Sequence, residues 1–248
     1  NQEGATRLGK PIGNYITLES NRLSSDDEDI HMPCVLALHE VLRELLKGAK
    51  RVFVIGLGNR NITPDALGPS VVDHLYITRH LLREGVVYNS MEISALCPGV
   101  MAQTGIETST IIQSLCSEVD PDVVICIDAL AAREAERLNT TIQVCDTGIT
   151  PGAGVGNRRL SLNEETLGVP VVAIGVPTVI SMPAMISHAV EGLLEKLPLS
   201  VLRQYEKEIG EFVQTPAVSS MFVTPKNIDE LIRRVSYTIS EAINRFLT

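Results

Sequence analysis

Tryptophan is missing from this 248-residue chain, and only four phenylalanines and five tyrosines are present. A core must therefore come from valine, isoleucine, leucine and alanine. Cysteine is sparse too. The five (Cys34, Cys97, Cys116, Cys126, Cys145) form no C-x-x-C pair and are odd in number. That excludes a disulfide framework and reads as reduced thiols of an intracellular protein, most of them small buried apolar residues. No stretch approaches the roughly 18 apolar residues of a membrane helix. The start, Asn-Gln-Glu-Gly, has neither signal-peptide character nor a methionine, so a processed or truncated form is expected. A basic surplus is also lacking. The net charge of −9 argues against nucleic-acid binding through bulk positive charge.

Several catalytic signatures are absent. There is no His-Glu-x-x-His and no Gly-x-Ser-x-Gly. Gly56-x-Gly58 follows an apolar run, but Asn61 replaces the third glycine of a dinucleotide fingerprint. His74 and His80 lie six apart on an expected helix, which is not ligand spacing. Zinc is disfavoured, a carboxylate-bound magnesium stays open, and no cofactor is expected. Asp146-Thr-Gly is the tripeptide of pepsin-type proteases. Those are all-β and need two copies, so the match is read as coincidence, with Asp146 ordering the loop around it.

What is present is an alternation of strands and helices. The periodicity predicts a helix from Pro33 to Lys47, with Leu36, Leu42, Leu45 and Leu46 on its apolar side. Buried strands are expected at Val52–Leu57, Asp122–Ile127, Thr141–Cys145 and Val171–Val176, with Val86–Leu96 a strand or extended segment. Helices are expected at Pro69–Glu84, Gly105–Val119 and Asn227–Leu247, the last with Leu231, Val235, Ile239 and Ile243 at spacing four. This order predicts an α/β fold: a mostly parallel twisted sheet flanked by helices on both faces. The whole chain, 1–248, reads as one domain. Residues 1–33 form a polar N-terminal segment, 226–248 the C-terminal helix, and Gln214–Pro225 the connection before it.

In such sheets ligands bind beyond the carboxyl ends of the strands. Asp65 follows the first buried strand and Asp128 ends the second. If these strands are parallel neighbours, the two carboxylates can share a cleft and a proton. One then activates water while the other, protonated, donates to a substrate carbonyl. The bland alternative is that Asp65 caps the next helix. Asn59, Arg60 and Asn61 lie in the same loop, as substrate contacts or turn residues. Arg133, Arg158 and Arg159 are candidates for a basic subsite or plain surface charge. The Gly152-Ala-Gly154-Val-Gly156 loop could cradle an anion or a peptide backbone. Cys97 reads as a small residue before a turn rather than a nucleophile.

Longer motifs then run in order: Gly9–Thr17, Ile55–Pro69, Cys97–Met101, Thr104–Thr108, Ile127–Arg133, Asn139–Gln143, Asp146–Gly148, Gly154–Asn157, Glu165–Thr178 and Val223–Lys226. Together they resemble the spore germination proteases of endospore-forming bacteria, over nearly the whole chain. The resemblance implies an endopeptidase of atypical aspartic type that begins degradation of small acid-soluble spore proteins. It implies an architecture shared with the phosphorylase-like hydrogenase-maturation proteases. The family's two aspartates fall on Asp65 and Asp128. It further implies a longer zymogen processed at its N-terminus, a homotetramer, and a place in the cytoplasm of the spore core. Direct nucleic-acid and membrane partners are not expected. Thr150 stands where relatives often have histidine, which weakens a three-ligand metal site. A metal-dependent maturation-type protease and a non-catalytic peptide- or anion-binding protein are the competing readings.

Overall fold

The computed structural model describes residues 2–24, 28–88, 90–152, 160–194 and 210–247. Among these residues seven strands make one sheet: β1 Tyr15–Glu19, β2 Arg51–Gly56, β3 Glu92–Leu96, β4 Val123–Ala132, β5 Thr141–Cys145, β6 Val171–Ser181 and β7 Phe222–Val223. Their order is β1-β5-β6-β4-β2-β3, with β7 on β6. The centre, β3-β2-β4-β6, is parallel. β5 runs antiparallel to β6, and β1 antiparallel to β5.

The central strands are apolar runs because both faces are covered. One face carries Val52, Val54, Ile125, Ile127, Ile174 and Val176. Against it pack α2 (His31–Leu45), α3 (Leu67–Val72) and the last long helix, Ile228–Asn244. The other face carries Phe53, Ile55, Leu57, Val124, Cys126 and Val171. It is covered by Ile112 and Cys116 of α6 (Thr108–Val119) and Leu167 of α7 (Glu164–Leu167). The α/β fold with helices on both faces is what the alternation led one to expect; the sheet is parallel at its centre, as expected, but antiparallel where β1, β5 and β7 join it. The spacing-four stripe holds as well: Leu231, Val235, Ile239 and Ile243 are all buried.

Several expectations need correction. In α2 the buried side is Cys34, Val35, Leu38 and Leu42, while Leu36 is exposed. The helix expected over Pro69–Glu84 is two, α3 and α4 (Arg79–Arg83). Thr78 breaks it by bonding to the sheet: its N–H donates to Ile93 O, and its Oγ1 donates to Met91 O and accepts from Ile93 N–H. The polar N-terminal segment contains β1, whose Ile16 and Leu18 turn inward. The expected connection at Gln214–Pro225 holds a helical turn, Pro216–Ser219, and β7.

Asp128 does not end its strand. β4 continues to Ala132 because β6 runs on beside it, pairing Asp128 with Gly175 and Ala132 with Ile180. The ladder slips once, from Leu130↔Pro177 to Ala131↔Val179. Pro177 has no N–H to give at that point.

Candidate active site

The loop after β2 folds back on itself. Gly58 has φ +107°, and a Cβ there would run into Asp65 O, with Asp65 Oδ1 at 3.0 Å. Only glycine allows both the left-handed turn and the approach. The chain then makes a 3-10 turn, Thr63–Asp65. Asp65 Oδ2 accepts the Asn59 N–H at 2.7 Å, which fixes the carboxylate against the loop start. The residue before α3 is Ala66, which makes no side-chain cap hydrogen bond.

This turn sits on the end of the sheet. Thr63–Asp65 packs on β4 and β6, and Thr178 Oγ1 of β6 donates to Pro64 O at 2.7 Å. Leu57 N–H donates to Ile127 O at 2.8 Å, which carries the β2–β4 ladder into the loop. α3 approaches as closely as backbone allows. A Cβ on Gly68 would lie 2.5 Å from Leu57 N and 2.6 Å from Ile127 O. The carboxylate after the first buried strand is therefore borne by a turn packed on β4, and Asp128 is the residue of β4 that follows Ile127.

Asp128 projects on the α6 side of the sheet, like Val124 and Cys126, and is 6% exposed. Its Oδ1 accepts the Ala129 N–H at 3.0 Å. Cys126, wholly buried one pleat away, has its thiol pushed far up by burial and then by the Asp128 charge. It is inert as a thiolate.

The other candidates separate. Asn59 Oδ1 accepts from Asn61 N–H at 3.0 Å and from Gln103 Nε2 at 2.9 Å, so both asparagines build the turn. Arg60 pairs with Asp73 through both guanidinium nitrogens, and its Nη2 lies 3.8 Å from Cys97 Sγ. Burial raises the Cys97 thiol, and Arg60 only partly opposes this. Arg60 and Asp73 line a groove of about 270 Å³ with Thr63, Ala66, His74 and Arg233, so it runs along the turn that carries Asp65, although neither Asp65 nor Asp128 lines it. Arg133 follows β4, exposed and without a polar side-chain partner among the described residues. Arg158, Arg159 and the Gly154–Gly156 stretch lie outside the described residues.

Asp146 orders a different element from the loop expected. It accepts from Asn14 N–H at 2.8 Å and from Asn14 Nδ2 at 2.6 Å, clamping the approach to β1. Thr150 Oγ1 is hydrogen-bonded to Ser161 Oγ at 2.8 Å. Among the described residues, no three His, Cys, Asp or Glu side chains are grouped closely enough to hold a metal ion.

Gly58, which the sequence offers only as part of a failed dinucleotide fingerprint, and Gly68, which no such fingerprint marks, set the Asp65 turn against β4. Their signal was two glycines spaced around an aspartate in the loop after a buried strand.

In α/β sheets of this kind ligands bind beyond the parallel strands on the side where their carboxyl ends lie, and Asp65 follows β2 on that side while Asp128 lies in the carboxyl-terminal half of β4. Comparison with known proteins makes the class specific. Residues 1–204 match the germination protease family of peptidases. The chain is 44% identical over 261 residues to the germination protease of Caldanaerobacter subterraneus, covering 98% of this chain and 81% of that protein. It is 40% identical over 264 residues to that of Clostridium perfringens, with the same coverage. The Bacillus velezensis protein is 48% identical over 202 residues, covering 78% of this chain and 55% of that one. Among solved structures, the [NiFe] hydrogenase maturation protease HycI of Thermococcus kodakarensis aligns with a TM-score of 0.43 and 18% identity, over 82% of this chain and 98% of that chain. The chain belongs to the germination protease family, and membership makes it a protease of spore germination. No helix of the described residues is long and apolar enough to cross a membrane.

Proposed function

We propose that this chain is an endopeptidase that begins the degradation of small acid-soluble spore proteins, with Asp65 and Asp128 as the pair that activates water. The observation that carries this reading is the packing of the Asp65 turn on β4, the strand that bears Asp128. In the proposed chemistry the pair holds one proton between two carboxyl groups. The ionised member takes a proton from water, and the oxygen attacks the scissile carbonyl carbon. The protonated member gives its proton to the carbonyl oxygen as that gains charge. Collapse of the tetrahedral species breaks the C–N bond. The leaving nitrogen takes up the proton first removed from water, and the hydroxyl proton returns to the pair. Family likeness supports the finer parts of this reading: the spore-protein substrate, a zymogen precursor, a homotetramer, and action in the spore-core cytoplasm.

The test is cleavage of a purified small acid-soluble spore protein, followed by mass spectrometry of the products. Wild type is compared with Asp65→Asn and Asp128→Asn, each with and without EDTA. Loss of cleavage in both variants at unchanged melting temperature, indifferent to EDTA, is the expected result. Full activity in either variant refutes the pair. Loss with EDTA turns the two aspartates into metal ligands.

A further inference from the structure

A chain of hydrogen bonds leads from the Asp65 carboxylate out of its own loop. Asp65 Oδ2 accepts the Asn59 N–H at 2.7 Å, so the carboxylate is aimed by Asn59. Asn59 follows Gly58, at φ +107°. Glycine has the widest backbone freedom, so β2 does not by itself direct Asn59. Within the loop, Asn59 O accepts from Ile62 N–H at 3.1 Å, and Asn59 Oδ1 accepts from Asn61 N–H at 3.0 Å. Those two bonds travel with the loop. Among the described residues, the bond that fastens Asn59 to another element runs from Gln103 Nε2 to Asn59 Oδ1, at 2.9 Å.

Gln103 belongs to α5 (Met101–Thr104), the short helix that follows β3. β3 pairs in parallel with β2, the strand from which the Asp65 loop departs. The bond therefore closes a ring through β2, its loop, Gln103, α5 and β3, and refers Asn59 back to the sheet. Gly99 gives the amide its seat. A Cβ there would stand 3.2 Å from Gln103 Oε1, so the glycine leaves room for the oxygen while the NH2 meets Asn59. A second contact joins the same two loops one residue along, where Arg60 Nη2 lies 3.8 Å from Cys97 Sγ. That contact is made at the end of a long side chain. Gln103 instead engages the residue whose own N–H meets the carboxylate.

We propose that Gln103 is a positioning residue for the reaction: it holds Asn59 so that the Asn59 N–H keeps the Asp65 carboxylate in its reactive orientation. This rests on the Asp65–Asp128 reading. Gln103 acts through Asn59 and not on the substrate, so its loss slows turnover and leaves substrate binding intact. One neutral hydrogen bond of this kind is worth about tenfold in rate. Gln103 is exposed, so its replacement leaves the core alone.

The experiment measures kcat and KM for a purified small acid-soluble spore protein, with melting temperatures in parallel. The variants are Gln103→Met, Gln103→Lys, Asn59→Ala, Asn59→Ala combined with Gln103→Met, and Asp65→Asn. Methionine keeps the length and loses the donor, whereas lysine keeps a donor. Asn59→Ala removes the acceptor but keeps the N–H that meets Asp65. Gln103→Met is expected to lower kcat about tenfold, with KM within about threefold of wild type. Gln103→Lys should recover most of that loss, and Gln103→Met should cost nothing further on top of Asn59→Ala. Wild-type kcat in Gln103→Met overturns the proposal. A loss confined to KM overturns it by making Gln103 a substrate contact. A full further loss on top of Asn59→Ala overturns it by giving Gln103 another route, and a Gln103→Lys as slow as Gln103→Met does so by making the donor irrelevant. If Gln103→Met matches wild type while Asp65→Asn is inactive, only Gln103 loses its role. If Asp65→Asn is fully active, the carboxylate reading falls and this one with it.

Discussion

Replacing Gly68 by alanine tests whether the two carboxylates work as a pair set by backbone packing. The new methyl would lie 2.5 Å from Leu57 N and 2.6 Å from Ile127 O, where ordinary contact begins near 3.4 Å. Both neighbours are backbone atoms of the β2–β4 ladder, so no rotamer change relieves the clash. The start of α3 must retreat by close to 1 Å. Asp65 stands three residues before Gly68, and Asp128 is the residue after Ile127, so the retreat falls on the distance between them. A displacement of this size costs about 100-fold in rate, and overpacking costs about 1–3 kcal/mol in stability. The assay is kcat/KM for spore-protein cleavage, with a urea unfolding curve alongside. Gly192→Ala is the control, because a Cβ there meets nothing within 4 Å. Wild-type kcat/KM in Gly68→Ala refutes the claim that this approach sets the pair. Destabilisation with unchanged kcat/KM refutes it equally, because the retreat has then left the chemistry alone.

Two further outcomes follow from carboxylates outside the site. Asp122 accepts from the Arg51 guanidinium and from the Lys50 and Arg51 N–H groups, and these draw its carboxyl down from 3.8 to about 2. A lowered folded-state value means the stabilisation is complete well above pH 3.8 and is lost as pH falls toward 2. The upper limit is about 2.4 kcal/mol, and with both partners about a third exposed, screening brings it to about 1 kcal/mol. Asp122→Asn should therefore lower stability at pH 7 by that amount and flatten the acid limb between pH 4 and 2; an unchanged acid limb contradicts the assignment. Asp146→Ala removes the acceptor for two Asn14 donors and should lower the melting temperature by about 2–4 °C. It should also speed hydrogen exchange through Tyr15–Glu19, and equal protection of β1 would show that the clamp is not what holds it.

The legible part of the fold was its local part. Central strands read as apolar runs because both faces are covered, and the last helix read as a stripe because four isoleucines, leucines and valines recur at one spacing. β1 was illegible because an edge strand of five residues inside a polar segment carries only two inward side chains. The break between α3 and α4 was illegible because no glycine or proline marks it. Thr78 interrupts the helix by bonding to β3, fifteen residues away. The extensions of β4 and β6 depend on each other, and neither Ala129–Ala132 nor Pro177–Ser181 reads as strand alone.

The candidate site divides in the same way. Asp65 and Asp128 could be singled out because each follows a recognisable strand core, and the rule about carboxyl ends needs no register. Arg60 shared the right loop but faces Asp73, a partnership made by the turn of α3 and invisible in spacing. The row of the sheet that Gln143 shares with Asp128 lay beyond reach for a stricter reason. It exists only after β4, β6 and β5 are aligned, one pair parallel and the next antiparallel. A slip of one residue in either ladder would turn Gln143 to the opposite face. What fixes the register is the burial of Ile142, Val144, Ile174 and Ile127 on the far side, apolar residues with no part in chemistry. The face of the sheet on which Asp128 stands is thus decided by the hydrophobic core behind it, by side chains that take no part in chemistry.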